Sequence, residues 1–205
     1  MERFPRFAVG AAVVVLSMVV LFTVPSGYFV AATFASTACM IGASLSVGGY
    51  RRLFAPNAKT LLAGLGSALL LYLVFYGGSI VINEIHPFGV NPAAENSIYS
   101  LISSPTNPLY IQGGVLLFDA VGYESFFRGV LQKRVQSRVG PAAPFLVAAA
   151  DSVIHVLTFN PLWVVTTFIV DSVWGITYYY TKDLSASISS HLCWVVLIFV
   201  IWPIR

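Results

Sequence analysis

Glu124 and Arg128 stand four positions apart in the chain, and so do Asp151 and His155. In a helix that spacing puts both members of a pair on one face, close enough to meet. A carboxylate beside an imidazole can orient the ring and raise its basicity. Asp119 lies in the same apolar run as Glu124 and Arg128, and Asp171 and His191 lie in, or near the end of, runs of their own. Two imidazoles and several carboxylates from different helices are the parts of a water-activating site or of a metal site. No compact zinc-ligand motif accompanies the histidines, so neither a metal nor a cofactor is expected. The competing use of such residues is structural, since polar side chains also join helices by hydrogen bonds inside a membrane.

The elements that must position these residues are apolar helices. The chain has 205 residues, 58% hydrophobic and 9% charged, and its mean hydropathy is +0.83. Soluble domains carry about 25% charged residues. With so little charge, lipid must be the solvent for much of the surface. The expected class is an all-α polytopic membrane bundle of about seven transmembrane helices with a cytoplasmic N-terminus. The runs are 7–24, 27–48, 60–82, 110–132, 142–159, 161–180 and 184–202, each near the roughly 20 residues that a bilayer requires. Asn160-Pro161 separates the fifth from the sixth. The first run follows Arg3 and Arg6 as a signal peptide would, but a second apolar run comes almost at once, so it is read as a span that is kept. With the N-terminus inside, Arg3, Arg6, Arg51, Arg52, Lys59, Lys133, Arg134, Arg138 and Lys182 all fall on the cytoplasmic side and Arg205 alone falls outside. That asymmetry supports the topology, and it makes the net charge of +3 a topology signal rather than a sign of nucleic-acid binding. Cys39 and Cys193 lie in apolar runs as small core residues. The one long loop, 83–109, lies on the outer side and is expected to serve as a connector, with a short helix over 94–103.

Charge is distributed unevenly along these runs. Asp119, Glu124, Arg128, Asp151, His155, Asp171 and His191 all follow residue 115, and the first three runs hold no such group. A charge at a bilayer centre costs about 2.5–3.5 kcal/mol on insertion scales, so these groups must face one another or a wet cavity. The chain therefore divides into a scaffold over 1–109 and a four-helix core over 110–205.

Within the core, Tyr123-Glu-Ser-Phe-Phe-Arg-Gly129, Asp151-Ser-Val-Ile-His155 and His191-Leu-Cys-Trp-Val195 follow in order. Together they resemble the three motifs of the CPBP family of intramembrane proteases, which includes CAAX endopeptidases and bacteriocin-processing proteins. The family pattern is Glu-Glu-x-x-x-Arg, then Phe-x-x-x-His, then His-x-x-x-Asn. By that resemblance Glu124, Arg128, His155 and His191 are the expected site. The resemblance implies an intramembrane endopeptidase without cofactor. It also implies a peptide or lipidated protein as substrate within the bilayer, and location in a membrane, the cell membrane being expected. Two positions depart from the pattern. Tyr123 stands where the family has the Glu that activates water with the second-motif His, and Val195 stands where it has the Asn that helps hold the oxyanion. The expected mechanism is water activated by a Glu/His pair, Glu124 with His155, with His191 on the oxyanion. Asp119, Asp151 and Asp171 are extra carboxylates, one of which could serve as the base instead, and Tyr123 could donate to an oxyanion. Two other uses of the same residues are open at this point. One is a non-catalytic binding or immunity protein, and the other a proton or ion pathway. A retinal protein is not indicated, because the last run holds no Lys.

Overall fold

The structure is a computed structural model, and it describes residues 3–48, 53–85, 96–97, 99–100 and 108–204. Helix α1 spans Arg3–Thr23, α2 Phe29–Val47 and α3 Ala58–Ile85. Helix α4, Leu109–Phe126, runs through a π-helical turn, Phe127–Gln132, into α5, Lys133–Val139. Helix α6, Ala143–Ile154, tightens into a 3-10 turn over His155–Thr158. Helix α7 spans Pro161–Thr181, and α8, Leu184–Val196, ends in a second π turn, Leu197–Ile201. The described residues contain no strand.

The boundaries follow from local chemistry. Gly48 at φ 74° and Gly140 at φ 59° take backbone conformations that side chains resist, and each ends a helix. Asn160 caps α7 by accepting from the amides of Leu162 and Trp163 at 3.0 and 3.4 Å, with Pro161 in the first turn. Asp183 caps α8 by accepting from Ser185 N at 2.9 Å, and it also accepts from Ala55 N at 3.2 Å, which ties the approach to α3 onto α8.

Five stretches among the described residues are long and apolar enough to cross a bilayer, against the seven expected: Pro5–Thr23, Ser26–Val47, Ala58–Ile85, Tyr110–Thr158 and Leu184–Ile201. The difference lies in the last four expected runs. Tyr110–Thr158 is one apolar stretch of 49 residues that the Gly140-Pro141 corner divides into two helical segments. Pro161–Thr181 is 21 residues long but carries Asp171 and is not among the five. Helix α3 also extends to Ile85, so it takes in the first three residues of the loop expected from 83. Residues 96–97 and 99–100 are helical. The remainder of the expected short helix, and with it Arg51, Arg52, His86, Glu95 and Arg205, lies outside the described residues.

The bundle is apolar outside and polar inside. Leu16, Leu62, Leu73 and Val9 are among many exposed aliphatic side chains, whereas Glu124, Arg128, Gln132, Asp151 and Asp171 have no exposure at all. This reversal of the soluble pattern is what a lipid solvent selects, and the protein is an integral membrane protein. Helix α1 packs on α2, α2 on α4, α3 on α8 and α6 on α7, while α4 and α7 both pack against α8. Two close approaches bring the elements together. At Gly122 of α4, a Cβ would meet Thr37 Cγ2 of α2 at 2.5 Å. At Gly64 of α3, it would overlap Ser189 Oγ and lie 2.5 Å from the Ala186 carbonyl of α8. A hydroxyl can rotate away but a helix carbonyl cannot. Gly64→Ala is therefore expected to push α3 from α8 and cost about 1–3 kcal/mol, read as a lower thermal midpoint in detergent. An unchanged midpoint would show that the two helices have slack.

Candidate active site

Four helices bring their polar residues to one place, and the geometry divides those residues into a sealed network and a cavity wall. In the network, Arg128 lies within the π turn of α4 and donates from a terminal nitrogen to Asp171 Oδ1 of α7 at 2.8 Å. Its Nε lies 3.3 Å from Glu124 Oε2, an ion pair without hydrogen-bond alignment. Glu124 Oε1 pairs with His191 Nδ1 of α8 at 3.1 Å. The Tyr123 hydroxyl sits 2.6 Å from Asp151 Oδ2 and 2.8 Å from Asp171 Oδ2. One turn further along α4, Gln132 Nε2 donates to the Gly175 carbonyl of α7 at 2.7 Å. A Cβ on Gly175 would lie 2.9 Å from Gln132 Oε1 and 3.0 Å from Pro144 Cβ, so the absence of a side chain there allows the approach. π turns recur at functional sites because the inserted residue re-aims the side chains around it.

A cavity of about 190 Å³ lies beside this network, and Asp119, Tyr123, His155 and His191 line it together with apolar residues. That volume has room for several waters. The two histidines reach it from different elements and are held differently. Trp174 stacks on His191 with ring centroids 3.7 Å apart and planes at 16°, so the ring is fixed by stacking on one face and by Glu124 at Nδ1. His155 opens the 3-10 turn, where its Nδ1 faces the Asp151 carbonyl at 3.2 Å and the Asp151 carboxylate at 3.6 Å. Phe22 of α1 and Trp163 of α7 border its ring with centroids 4.5 and 5.9 Å away. With Nδ1–H given to a carbonyl, Nε2 is the ring's acceptor.

The expected residues thus come together, with the parts distributed in a way that helical spacing does not reveal. Glu124 and Arg128 pair as expected, but Glu124 has no exposure and touches His191, not His155. Asp151 holds His155 chiefly through its backbone carbonyl, with its carboxylate turned to Tyr123. The Tyr123 hydroxyl is engaged by two aspartates, which leaves it no proton for an oxyanion. Asp119 is the carboxylate that lines the cavity; it is only partly buried, and its Oδ1 accepts from Thr37 Oγ1 at 2.5 Å. Val195 also lines the cavity and brings no donor. Cys39 and Cys193 are free thiols, and no group of three or more His, Cys, Asp or Glu that could hold a metal is found among the described residues.

Three contributors went unread in the sequence. Thr37 belongs to a stripe of Thr33, Thr37 and Ser44, buried along one face of α2, and that spacing was the available signal. Gln132 stands four residues beyond Arg128 on the same face of α4. Phe22, apolar in an apolar run, gave no signal.

No curated protein and no solved structure matches the chain. Residues 105–197 match the family model described as type II CAAX prenyl endopeptidase Rce1-like. The matched segment, short of half the chain, carries every residue of the network and most of the residues that line the cavity, and over it the protein is similar to the Rce1-like CAAX prenyl endopeptidases.

Proposed function

We propose that the protein is an intramembrane endopeptidase acting on the C-terminal peptide of a prenylated protein, with water activated in the cavity by Asp119 and His155. The observation that carries this reading is the shared cavity wall: one accessible carboxylate and two imidazoles face the same space. A general base must touch the water it deprotonates. Glu124, Asp151 and Asp171 are sealed, so Asp119 takes the role that the family's first motif Glu would have at position 123.

A water held between Asp119 and His155 Nε2 gives one hydrogen to each and directs its lone pair at the scissile carbonyl. As the C–O bond forms, Asp119 takes the proton. His191 donates Nδ1–H to Glu124 and, as the imidazolium, Nε2–H to the developing oxyanion. The carboxyl of Asp119 then gives its proton to the departing amine as the C–N bond breaks. Val195 supplies no second oxyanion donor, and one such donor is worth about 2.7–4 kcal/mol, so turnover is expected to be slow. In this reading 110–205 is the catalytic core and 1–109 the scaffold, with α1 lending Phe22 to the cavity wall and α2 lending Thr37, which donates to Asp119. The N-terminus lies in the cytoplasm and the bilayer is the cell membrane.

Tyr123 and Val195 favour a second reading, a non-catalytic binding or immunity protein on the same fold. The two are separated by incubating the protein in liposomes with a prenylated CAAX peptide and following the released tripeptide by mass spectrometry. The proposal expects slow cleavage by the native chain that a zinc chelator leaves unchanged. No cleavage by the native chain, together with cleavage by the double variant Tyr123→Glu, Val195→Asn, would establish the non-catalytic reading. Loss of activity on chelation would replace the carboxylate mechanism with a metal one.

A further inference from the structure

Three carboxylates, Glu124, Asp151 and Asp171, are sealed inside the bundle with one guanidinium, Arg128. Arg128 lies between Glu124 and Asp171 and donates to the latter. Asp151 has no cation of comparable permanence; His155 Nδ1 is 3.6 Å from its Oδ2. Its Oδ1 has no hydrogen-bond partner although the residue has no exposure. An ionised carboxylate so placed would be costly.

The Tyr123 hydroxyl adds a constraint from counting. It lies within hydrogen-bond distance of Asp151 Oδ2, at 2.6 Å, and of Asp171 Oδ2, at 2.8 Å. A phenol has one proton and can donate to one of them. The other contact would set two lone pairs against each other unless the second carboxyl donates to the phenol oxygen. The three oxygens therefore need two protons, one more than the phenol brings. Two carboxylates that share a proton are a known solution where both cannot ionise. Here a phenol stands between them.

We infer that Asp151, Tyr123 and Asp171 form a site that holds one shared proton next to His155 and exchanges it with the imidazole. When Nε2 of His155 releases its proton to the cavity, the Oδ2–H bond on Asp151 breaks and an Nδ1–H bond forms. In the return step Nε2 takes a proton back, the Nδ1–H bond breaks and the Oδ2–H bond re-forms, so the cycle neither gains nor loses a proton. The groups that face this site are Arg128 and Glu124 on α4, His155 on α6 and His191 on α8, with Asp119 across the cavity. Arg128 fixes Asp171 but relays nothing, since its guanidinium does not give up a proton. The site replaces a family Glu with a phenol and moves the acid function to two helices beyond α4. Its use in catalysis rests on the cavity reading above, but its existence does not.

Infrared difference spectroscopy on the intact protein in lipid tests it without reference to cleavage. The expected result is a carboxylic-acid carbonyl band that moves in heavy water. The band should be lost in Asp171→Asn, shifted in Tyr123→Phe, which keeps the ring, and shifted again in His155→Ala. Absence of a carboxylic-acid band in the unaltered protein overturns the shared proton, whatever the variants do. A band indifferent to Tyr123→Phe overturns it as well, and one indifferent to His155→Ala overturns the exchange with the imidazole. A protein with this band and no peptidase activity would refute the proposed function and leave the proton site standing.

Discussion

Asp119→Asn is expected to lower kcat for cleavage of a prenylated CAAX peptide by about 10²–10⁴-fold, the range that a general base contributes. The amide keeps the size of the side chain and can still accept from Thr37 Oγ1, so the cavity should keep its shape and KM should change little. What is lost is the ability to take a proton from water. The effect separates two accounts of the site. If the sealed Glu124 were the base instead, Asp119→Asn would be nearly silent. Glu124 has no exposure and spends its two oxygens on His191 and Arg128. Its role in this account is to fix the imidazole that binds the oxyanion. Steady-state rates for the variant, with the thermal midpoint as a control for folding, decide between them.

Arg128→Ala is expected to be the most destabilising single change in the core. It leaves Glu124 and Asp171 sealed with no cation between them. Breaking one side of a buried ion pair costs about 3–5 kcal/mol, against a total of about 5–15 kcal/mol for a typical folded domain. The variant should therefore show a sharply lower thermal midpoint in detergent, or accumulate poorly. Arg128→Lys should not rescue it. A lysine ammonium is a point donor without the planar fork that reaches two carboxylates on different helices. A midpoint close to that of the unaltered protein would mean that the network contributes little to folding, and that Arg128 is retained for chemistry alone.

The contrast between these two residues shows what was legible in the sequence. Long apolar runs with their charges confined to the final part identified a membrane bundle and its polar core. Spacing of four residues correctly paired Glu124 with Arg128 and set Asp151 beside His155. Spacing on one helix does not report which way that helix is turned about its axis. That rotation is fixed by contacts between helices, such as Gly122 against Thr37 and Gly175 against Gln132 and Pro144. It decides that Glu124 is sealed while Asp119 faces the cavity. The Tyr123 bridge was equally hidden, because its partners come from α6 and α7 and lie 28 and 48 residues away in the chain. The number of spans was blurred where composition and geometry differ. One apolar stretch bends at Gly140-Pro141, and α7 carries an aspartate that the network holds.

In the proposed enzyme the cavity wall does the chemistry while the sealed network holds the helices that form it. The most direct test is the cleavage rate of His155→Ala, measured beside its thermal midpoint. His155 lines the cavity and takes part in the network only at its edge, through Asp151. Cleavage is expected to fall to background while the midpoint stays close to that of the unaltered protein. Cleavage that persists at a similar rate in a folded His155→Ala protein would contradict it.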